Sequence, residues 1–243
     1  MKATVRERNA GMVSVTLHHQ AAPEVAAKAS GRRSEHVFSE LQREIVLGLA
    51  EPDGALIELD LAQRFDCSQG TVREALMRLN EEGLVTRRPR RGTSVAPCRS
   101  ADARALIGLR LSIECDNIGR LLRRAGGDLD ERLHAKLNDM RNAARDADEY
   151  GLAAHDRAFH LALFEAADLP LVAPILRRCL LHVHRFKIMN SGQLRDLEET
   201  AERHVPILDA LRAREPDRLA EVLRHHISTI VDFGPDLTER STQ

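Results

Sequence analysis

Aromatic side chains are scarce in this chain. Trp is absent, Tyr150 stands alone, and Phe, Tyr and Trp together make up 3% of 243 residues. A base-stacking platform for single-stranded nucleic acid, or a cage for a quaternary ammonium, needs several such rings, so the composition speaks against both. Long hydrophobic runs are missing too: no window approaches the roughly 20 apolar residues of a membrane span, and residues 1–33 lack the apolar centre of a signal peptide. A cytoplasmic protein with no membrane partner is expected. The four cysteines (Cys67, Cys98, Cys115 and Cys179) are far apart with no C-x-x-C pair, which speaks against a thiolate zinc site or a disulfide framework and leaves them as packing residues. There is no P-loop, nucleophile elbow or dinucleotide fingerprint. The net charge is -1, so the whole molecule does not advertise a polyanion partner.

What is present is helical material: 43% hydrophobic and 30% charged residues, rich in Ala, Leu, Arg and Glu. The small net charge hides a distribution. Residues 1–33 hold six cationic side chains against Glu7 and Glu24, and residues 71–91 hold Arg73, Arg78, Arg87, Arg88, Arg90 and Arg91 against three glutamates. A local excess of this kind can meet phosphate while the remainder keeps the protein soluble.

The first 33 residues have no sustained periodicity and read as a mobile arm. From Ser34, a candidate cap, the spacing of Val37, Leu41, Ile45 and Leu49 predicts a first helix ended by Pro52-Asp53-Gly54. A short second helix is expected at Leu59–Phe65. After the turn Asp66-Cys67-Ser68, a third carries Val72, Ala75, Leu76 and Leu79 on its apolar face and stops at Gly83. Leu84–Thr86 and Thr93–Val95 read as strands around a basic turn. Three helices and a basic hairpin over 34–98 make a winged helix-turn-helix. Beyond a linker at 99–104, residues 105–233 alternate helical stretches with brief breaks. Six helices are predicted at about 101–125, 128–148, 152–167, 171–190, 194–213 and 217–232, forming an all-α antiparallel bundle, and 234–243 read as a frayed tail. The fold class is therefore mainly α.

In a helix-turn-helix the start of the second helix enters the major groove. Ser68, Gln69, Thr71 and Arg73 occupy that stretch. Arg73 can grip guanine by two bonds, Gln69 can pair with adenine, and the Ser68 and Thr71 hydroxyls suit phosphate. Arg90 and Arg91 in the hairpin turn would lie beside the DNA backbone or in a minor groove, with Gly92 allowing a close approach. Double-stranded operator DNA is the expected partner, and a palindromic operator asks for a homodimer.

In the C-terminal half, Asp156 and His160 are four apart and share a helix face. His204 and His226 are equidistant from the break at Glu215-Pro216. Across an antiparallel helical hairpin they stand at one height, and a third helix carrying Asp156 and His160 would complete a site of three imidazoles and a carboxylate for a divalent ion, zinc first, with nickel or manganese also admitted. The alternative is a set of unrelated histidines among the 11 present. His155-Asp156 also admits a metal-dependent phosphohydrolase of H…HD…D type, with His134 and Asp209 or Asp232 as further ligands. That reading leaves the 204/226 symmetry unexplained and supplies no separate acid/base pair. A helix-turn-helix adaptor for a partner protein is a third reading.

The run LIELDLAQRFDCSQGTVREALMRLNEEGLVTRRPRRGTSV, from Leu56 to Val95, resembles the DNA-binding domain of GntR-type bacterial transcriptional regulators, whose pattern reads L-x-E-x-x-L-A, S-R-x-x-V-R-E-A-L, L-x-x-x-G-L-V and R-G-x-x-V. The resemblance implies that Ser68 and Arg73 touch DNA and that Gly92 forms the wing tip. Gln69 stands where the family usually has arginine, and Leu59 where it is often polar, which implies a different operator core. The C-terminal region is similar to the FCD ligand-binding domain of the FadR subfamily, its six-helix count closer to the VanR type. There D-x-x-x-H and two further histidines bind a metal, which implies Asp156, His160, His204 and His226 here. The resemblance further implies a small carboxylate effector gripped by Arg110, whose competing role is an intrahelical pair with Glu114. His182, His184 and Arg185 are expected on the surface, since polar side chains at these spacings are usually solvated, and His225 is expected to point away from His226. The implied function is a non-enzymatic regulator, a repressor in its simplest form; a metal sensor without an organic effector is the variant.

Overall fold

A computed structural model of the protein describes residues 22–88, 90, 92–191 and 196–228. Residues 1–21 of the expected arm, Arg91 of the expected DNA-contacting set, and the expected tail lie outside them.

The first helix, α1, runs Ala22–Val46, so it starts inside the segment expected to be an arm and well before Ser34. Ser34 is buried within the helix and caps nothing. Val37, Leu41 and Ile45 form the buried face, but the periodicity overran by one turn: Gly48 takes φ +73, and Leu49 lies beyond the helix, 69% exposed. A left-handed residue after the last turn is what stops a helix, and glycine adopts it without the steric cost of a β-carbon. Strand β1 (Ala55–Leu56) and helices α2 (Glu58–Arg64) and α3 (Gln69–Glu81) follow, then β2 (Val85–Arg88) and β3 (Gly92–Val95). The strands form an antiparallel sheet in the order β1-β3-β2. Strand β1 was not anticipated, because two residues are too few to show a period. Val72, Leu76, Leu79, Leu84 and Val95 close on the α1 face to complete this core.

The second half consists of α4 (Ser100–Cys115), α5 (Ile118–Arg124), α6 (Leu129–Arg145), α7 (Glu149–Glu165), α8 (Ala173–Ser191), α9 (Leu197–Glu202), α10 (Val205–Ala213) and α11 (Pro216–Ser228). Two of the six expected helices are thus broken. Between α4 and α5, Asn117 donates its amide back to the Ile113 carbonyl and Ser112 bonds Asp116, local side-chain bonds that compete with helix propagation. Between α9 and α10, Pro206 has no N–H to give the carbonyl one turn back, and the Ala201 carbonyl accepts from both the backbone N–H and the Nδ1 of His204. Ile107, Leu133, Leu137, Met140, Phe159, Leu180, Ile207, Leu219 and Leu223 form the core, with α6 packed along α7 and α4 along α8.

The two halves share buried surface. Ala153 of α7 and Leu181 and Ile188 of α8 lie in the same apolar cluster as Leu41, Ile45 and Leu76. Leu181→Ala should lower stability by about 2–5 kcal/mol and should reduce amide exchange protection in α1 and α3 as well as in α8. Loss of protection confined to α8 would show that the shared cluster does not bind the halves together.

Candidate metal centre and DNA-reading face

Asp156 and His160 project from α7 on one face, His204 sits where α9 meets α10, and His226 is in the last turn of α11. The short connection at Glu215 folds α11 back on α10 and brings His204 and His226 to one level, their ring centroids 4.5 Å apart. His160 and His204 have no exposed surface and Asp156 is 4% exposed. One nitrogen from each of His160, His204 and His226 falls within 4.8 Å of the others. His160 Nε2 is 3.2 Å from His226 Nε2, and Asp156 places Oδ1 3.6 Å from His160 Nε2 and Oδ2 3.6 Å from His204 Nε2. Donors around one tetrahedral zinc stand about 3.4 Å apart when the bonds are roughly 2.1 Å, so these spacings suit a shared cation.

The surrounding hydrogen bonds decide which nitrogens face inward. His160 Nδ1 donates to Glu114 Oε2 at 2.6 Å, and His204 Nδ1 donates to the Ala201 carbonyl at 3.1 Å. Both rings therefore turn a lone-pair Nε2 to the centre, the second-shell arrangement that orients imidazole ligands. Asp156 Oδ1 and His204 Nε2 are buried and complete no well-aligned hydrogen bond, although His184 Nε2 stands 3.2 Å from Oδ1, and a cation would use that bonding capacity. Burial opposes ionisation of Asp156, but the adjacent His184 and His204 imidazoles outweigh it and hold the carboxyl well below its ordinary range. Burial, reinforced by His204 and His160, holds His226 well below the ordinary imidazole range. An ionised carboxylate beside a neutral imidazole is the protonation pattern a metal requires.

Arg110 makes the intrahelical pair weighed for it and keeps one nitrogen spare. Its Nε donates to Glu114 Oε1 at 2.7 Å, the intrahelical pair, yet its Nη2 is buried with no acceptor. Glu114 thus bridges Arg110 and His160; burial opposes its ionisation, the Arg110 guanidinium and the hydrogen-bonded His160 ring outweigh that, and its carboxyl falls to about 2. The bridge from Glu114 to His160 was missed, because nothing in the spacing joins α4 to α7.

His184 and Arg185 are buried rather than on the surface, and His182 is half-buried. His184 is buried, with Nε2 3.2 Å from Asp156 Oδ1 and Nδ1 3.2 Å from the Ala153 carbonyl, and burial takes it down to about 4. His182 and Arg185 turn toward the first domain. These residues lie on a helix that is enclosed on several sides, so polarity did not mean solvation. His225 is exposed, as its offset from His226 requires. The hydrolase ligands do not assemble: His134 and Asp209 both sit beside Arg212, apart from the centre, and Asp232 is outside the described residues.

On the first domain, Ser68 caps α3, accepting from the Thr71 N–H at 3.1 Å. Thr71 is buried and its hydroxyl meets Ser68 Oγ at 3.0 Å, which corrects the expectation that it reaches phosphate: it completes the cap. Gln69 and Arg73 are exposed, as are Arg90, at φ 63, and Gly92, at φ 80, in the hairpin turn. Glu58, at the start of α2, takes Arg73 Nη2 at 2.7 Å and Arg87 Nη2 at 3.4 Å, so one carboxylate spans the reading helix and the wing. Leu59 is exposed beside it.

Residues 33–95 match the family described as bacterial regulatory proteins, gntR family, and residues 105–229 match the FCD domain. The chain belongs to the GntR family of transcriptional regulators. Its FCD domain is the one that characterises the FadR subfamily. The HTH-type regulator BphR of Paraburkholderia xenovorans strain LB400 is 28% identical over 212 residues, covering 82% of this chain and 86% of that protein. The HTH-type transcriptional repressor RspR of Escherichia coli K12 is 28% identical over 201 residues, covering 81% and 86%. Among solved structures, a GntR regulator from Rhodococcus sp. RHA1 aligns with TM-score 0.66 and 26% identity over 81% of this chain and 94% of that one. E. coli McbR/YncC shares the fold, with TM-score 0.66 and 18% identity over 80% and 93%. These relatives are transcriptional regulators rather than enzymes. No helix among the described residues is long and apolar enough to cross a membrane.

Glu114→Gln removes the charge that compensates a buried guanidinium, and breaking such a pair costs about 3–5 kcal/mol. Denaturant unfolding should register a loss of that order; a change below about 1 kcal/mol would mean that solvent, not Glu114, balances Arg110.

Proposed function

We propose that this GntR-family regulator is a cytoplasmic homodimer that binds a palindromic operator and loosens its grip when a small carboxylate occupies a metal in the FCD domain. The observation that carries this reading is the convergence of Asp156, His160, His204 and His226, with two unsatisfied buried donor atoms, beside the unpaired Nη2 of Arg110. Asp156 and the three imidazoles would hold a divalent ion, zinc ahead of nickel or manganese for a donor set dominated by imidazole. The ion would supply open coordination positions for an acidic ligand. Arg110 supplies the charge-assisted contact to that ligand's carboxylate, and Glu114 holds the guanidinium in place by its other edge.

Ser68, Gln69, Arg73, Arg90, Arg91 and Gly92 are assigned to the operator face. Arg73 reads a base edge, the residues around Gly92 follow the backbone, and Ser68 and Thr71 fix the start of α3. Glu58 neutralises Arg73 in the free protein, so its carboxylate orients the guanidinium before DNA arrives.

His204→Ala and His226→Ala should each lower metal content by elemental analysis, and unchanged stoichiometry removes them as ligands. A thermal-shift screen of metal-loaded protein against small organic and sugar acids should find one acid class that raises the melting temperature by mass action and loses its effect after chelation. If chelation alone lowers the melting temperature and no acid acts, the metal is itself the signal. Arg73→Ala should cost about 1–3 kcal/mol of specific operator affinity, measured against non-specific DNA at fixed salt; wild-type discrimination would clear Arg73 of base reading.

A further inference from the structure

The surface joining the two domains carries a set of side-chain hydrogen bonds beside the shared apolar cluster. Tyr150 of α7 donates to Gln42 Oε1 at 2.7 Å, and Gln42 Nε2 donates to Glu82 Oε2 at 2.6 Å. From α8, Arg178 reaches the Glu81 carbonyl at 3.4 Å, His182 Nε2 donates to the Glu82 carbonyl at 2.8 Å, and Arg185 Nη2 donates to the Ala96 carbonyl at 2.7 Å. Glu82 closes α3 and Ala96 follows β3, so His182 and Arg185 hold the chain on either side of the wing.

Two dipeptides place this interface one residue from the metal centre. Asp156 faces the histidines, and Arg157 beside it lies over the Tyr150 ring at 5.8 Å. His184 faces Asp156, and Arg185 beside it holds Ala96. Neighbouring helical residues diverge by about 100°, so each helix presents one side chain to the centre and the next to the DNA-binding domain. The interface is also poorly satisfied. Arg185 has no exposed surface, yet its Nε and Nη1 lack acceptors, and so does Nη1 of Arg157. A buried cation held by a single carbonyl stabilises docking weakly, because most of its desolvation goes uncompensated.

We infer that Asp156-Arg157 and His184-Arg185 couple the metal centre to the winged helix. The Asp156–His184 contact sets how α7 seats against α8, and that seating sets whether Arg185 and His182 keep hold of the Ala96 and Glu82 carbonyls. Because the clamp is weak, a modest difference in the affinity of the centre for two seatings shifts the position of the winged helix. Arg185 and His182 are positioning residues here, acting through the Ala96 and Glu82 carbonyls. The inference rests on the metal reading above.

The test uses the full-length protein, zinc alone as the probe, and a DNA site selected by the wild-type protein from a random pool. Wild type should bind zinc, and its operator affinity should differ about fivefold or more between zinc-loaded and chelated protein, the lower end of typical coupling. Arg185→Met keeps the bulk of the side chain and removes its donors. It should retain wild-type zinc content and a cooperative melt, while the zinc-dependent ratio collapses to within about twofold and amide exchange in α3 and the wing stops responding to chelation. His182→Gln should lower the ratio in the same direction and serves if Arg185→Met does not fold. A zinc-free wild type defeats the metal reading itself. A wild type that binds zinc with a ratio of one, or variants with normal zinc content and the wild-type ratio, defeats the coupling alone.

Discussion

Glu114 accepts a hydrogen bond from Arg110 on its own helix and another from His160 on α7, in a place closed to solvent. Its charge is what allows a guanidinium to stand inside the bundle, and its second oxygen selects the tautomer of a histidine on a different helix. Without it, Arg110 would be a buried cation with no counter-charge, and His160 could present either nitrogen to the centre. The cost of burying three ionisable groups is met by their mutual bonds only in this geometry. Thus α4 and α7 are held in register by chemistry as well as by packing, and Asp156, one turn before His160 on α7, takes its place from that register.

The winged helix was largely legible in the sequence because its determinants are contiguous. Val72, Ala75, Leu76 and Leu79 reproduce one helical face, and the cap at Ser68 is local. Thr71 was misassigned for the same locality: a hydroxyl three residues into a helix can face solvent or its own cap, and only the packed position decides. The pairing of His204 with His226 was legible through a symmetry argument, since a short turn makes sequence distance from the turn equivalent to height along the hairpin. No such relation exists between Glu114 and His160, or between His184 and Asp156. Their proximity comes from how helices far apart in sequence pack together, and spacing within one helix carries no information about that.

Helix α8 explains the largest misreading. Arg178, His182 and Arg185 recur at i, i+4 and i+7 and share one stripe, which in an isolated helix signals exposure, while His184 lies off it. Here α8 is a shared wall with α4, α7 and α1 around it. Polar groups on such a helix find partners in carbonyls at the ends of strands and helices, and in the Asp156 carboxylate, none of which periodicity can reveal. The upstream start of α1 was hidden by the opposite deficiency. Residues 22–33 carry little apolar periodicity, so their helical state left no amphipathic trace.

The distribution of unsatisfied groups separates two kinds of buried polarity in this fold. At the candidate metal centre the atoms that complete no hydrogen bond carry lone pairs, Asp156 Oδ1 and His204 Nε2, a deficit that a cation would remove. At the domain interface they are donors on the cations Arg157 and Arg185, a deficit that a second cation would only worsen. Arg110 Nη2, adjoining the centre, is a third case: a cationic donor close to the candidate ligands, suited to the carboxylate proposed above. Opposite deficits side by side at the centre suit the ligand recognition proposed above, and the single-signed one at the interface suits the coupling inferred from it. Saturating the interface with well-matched acceptors would strengthen docking and remove the ease with which it is undone. Beside the apolar cluster that the halves share, the single-carbonyl holds on Ala96 and Glu82 are the contacts most easily exchanged, whereas the dense bonding around Glu114 fixes the frame of the bundle.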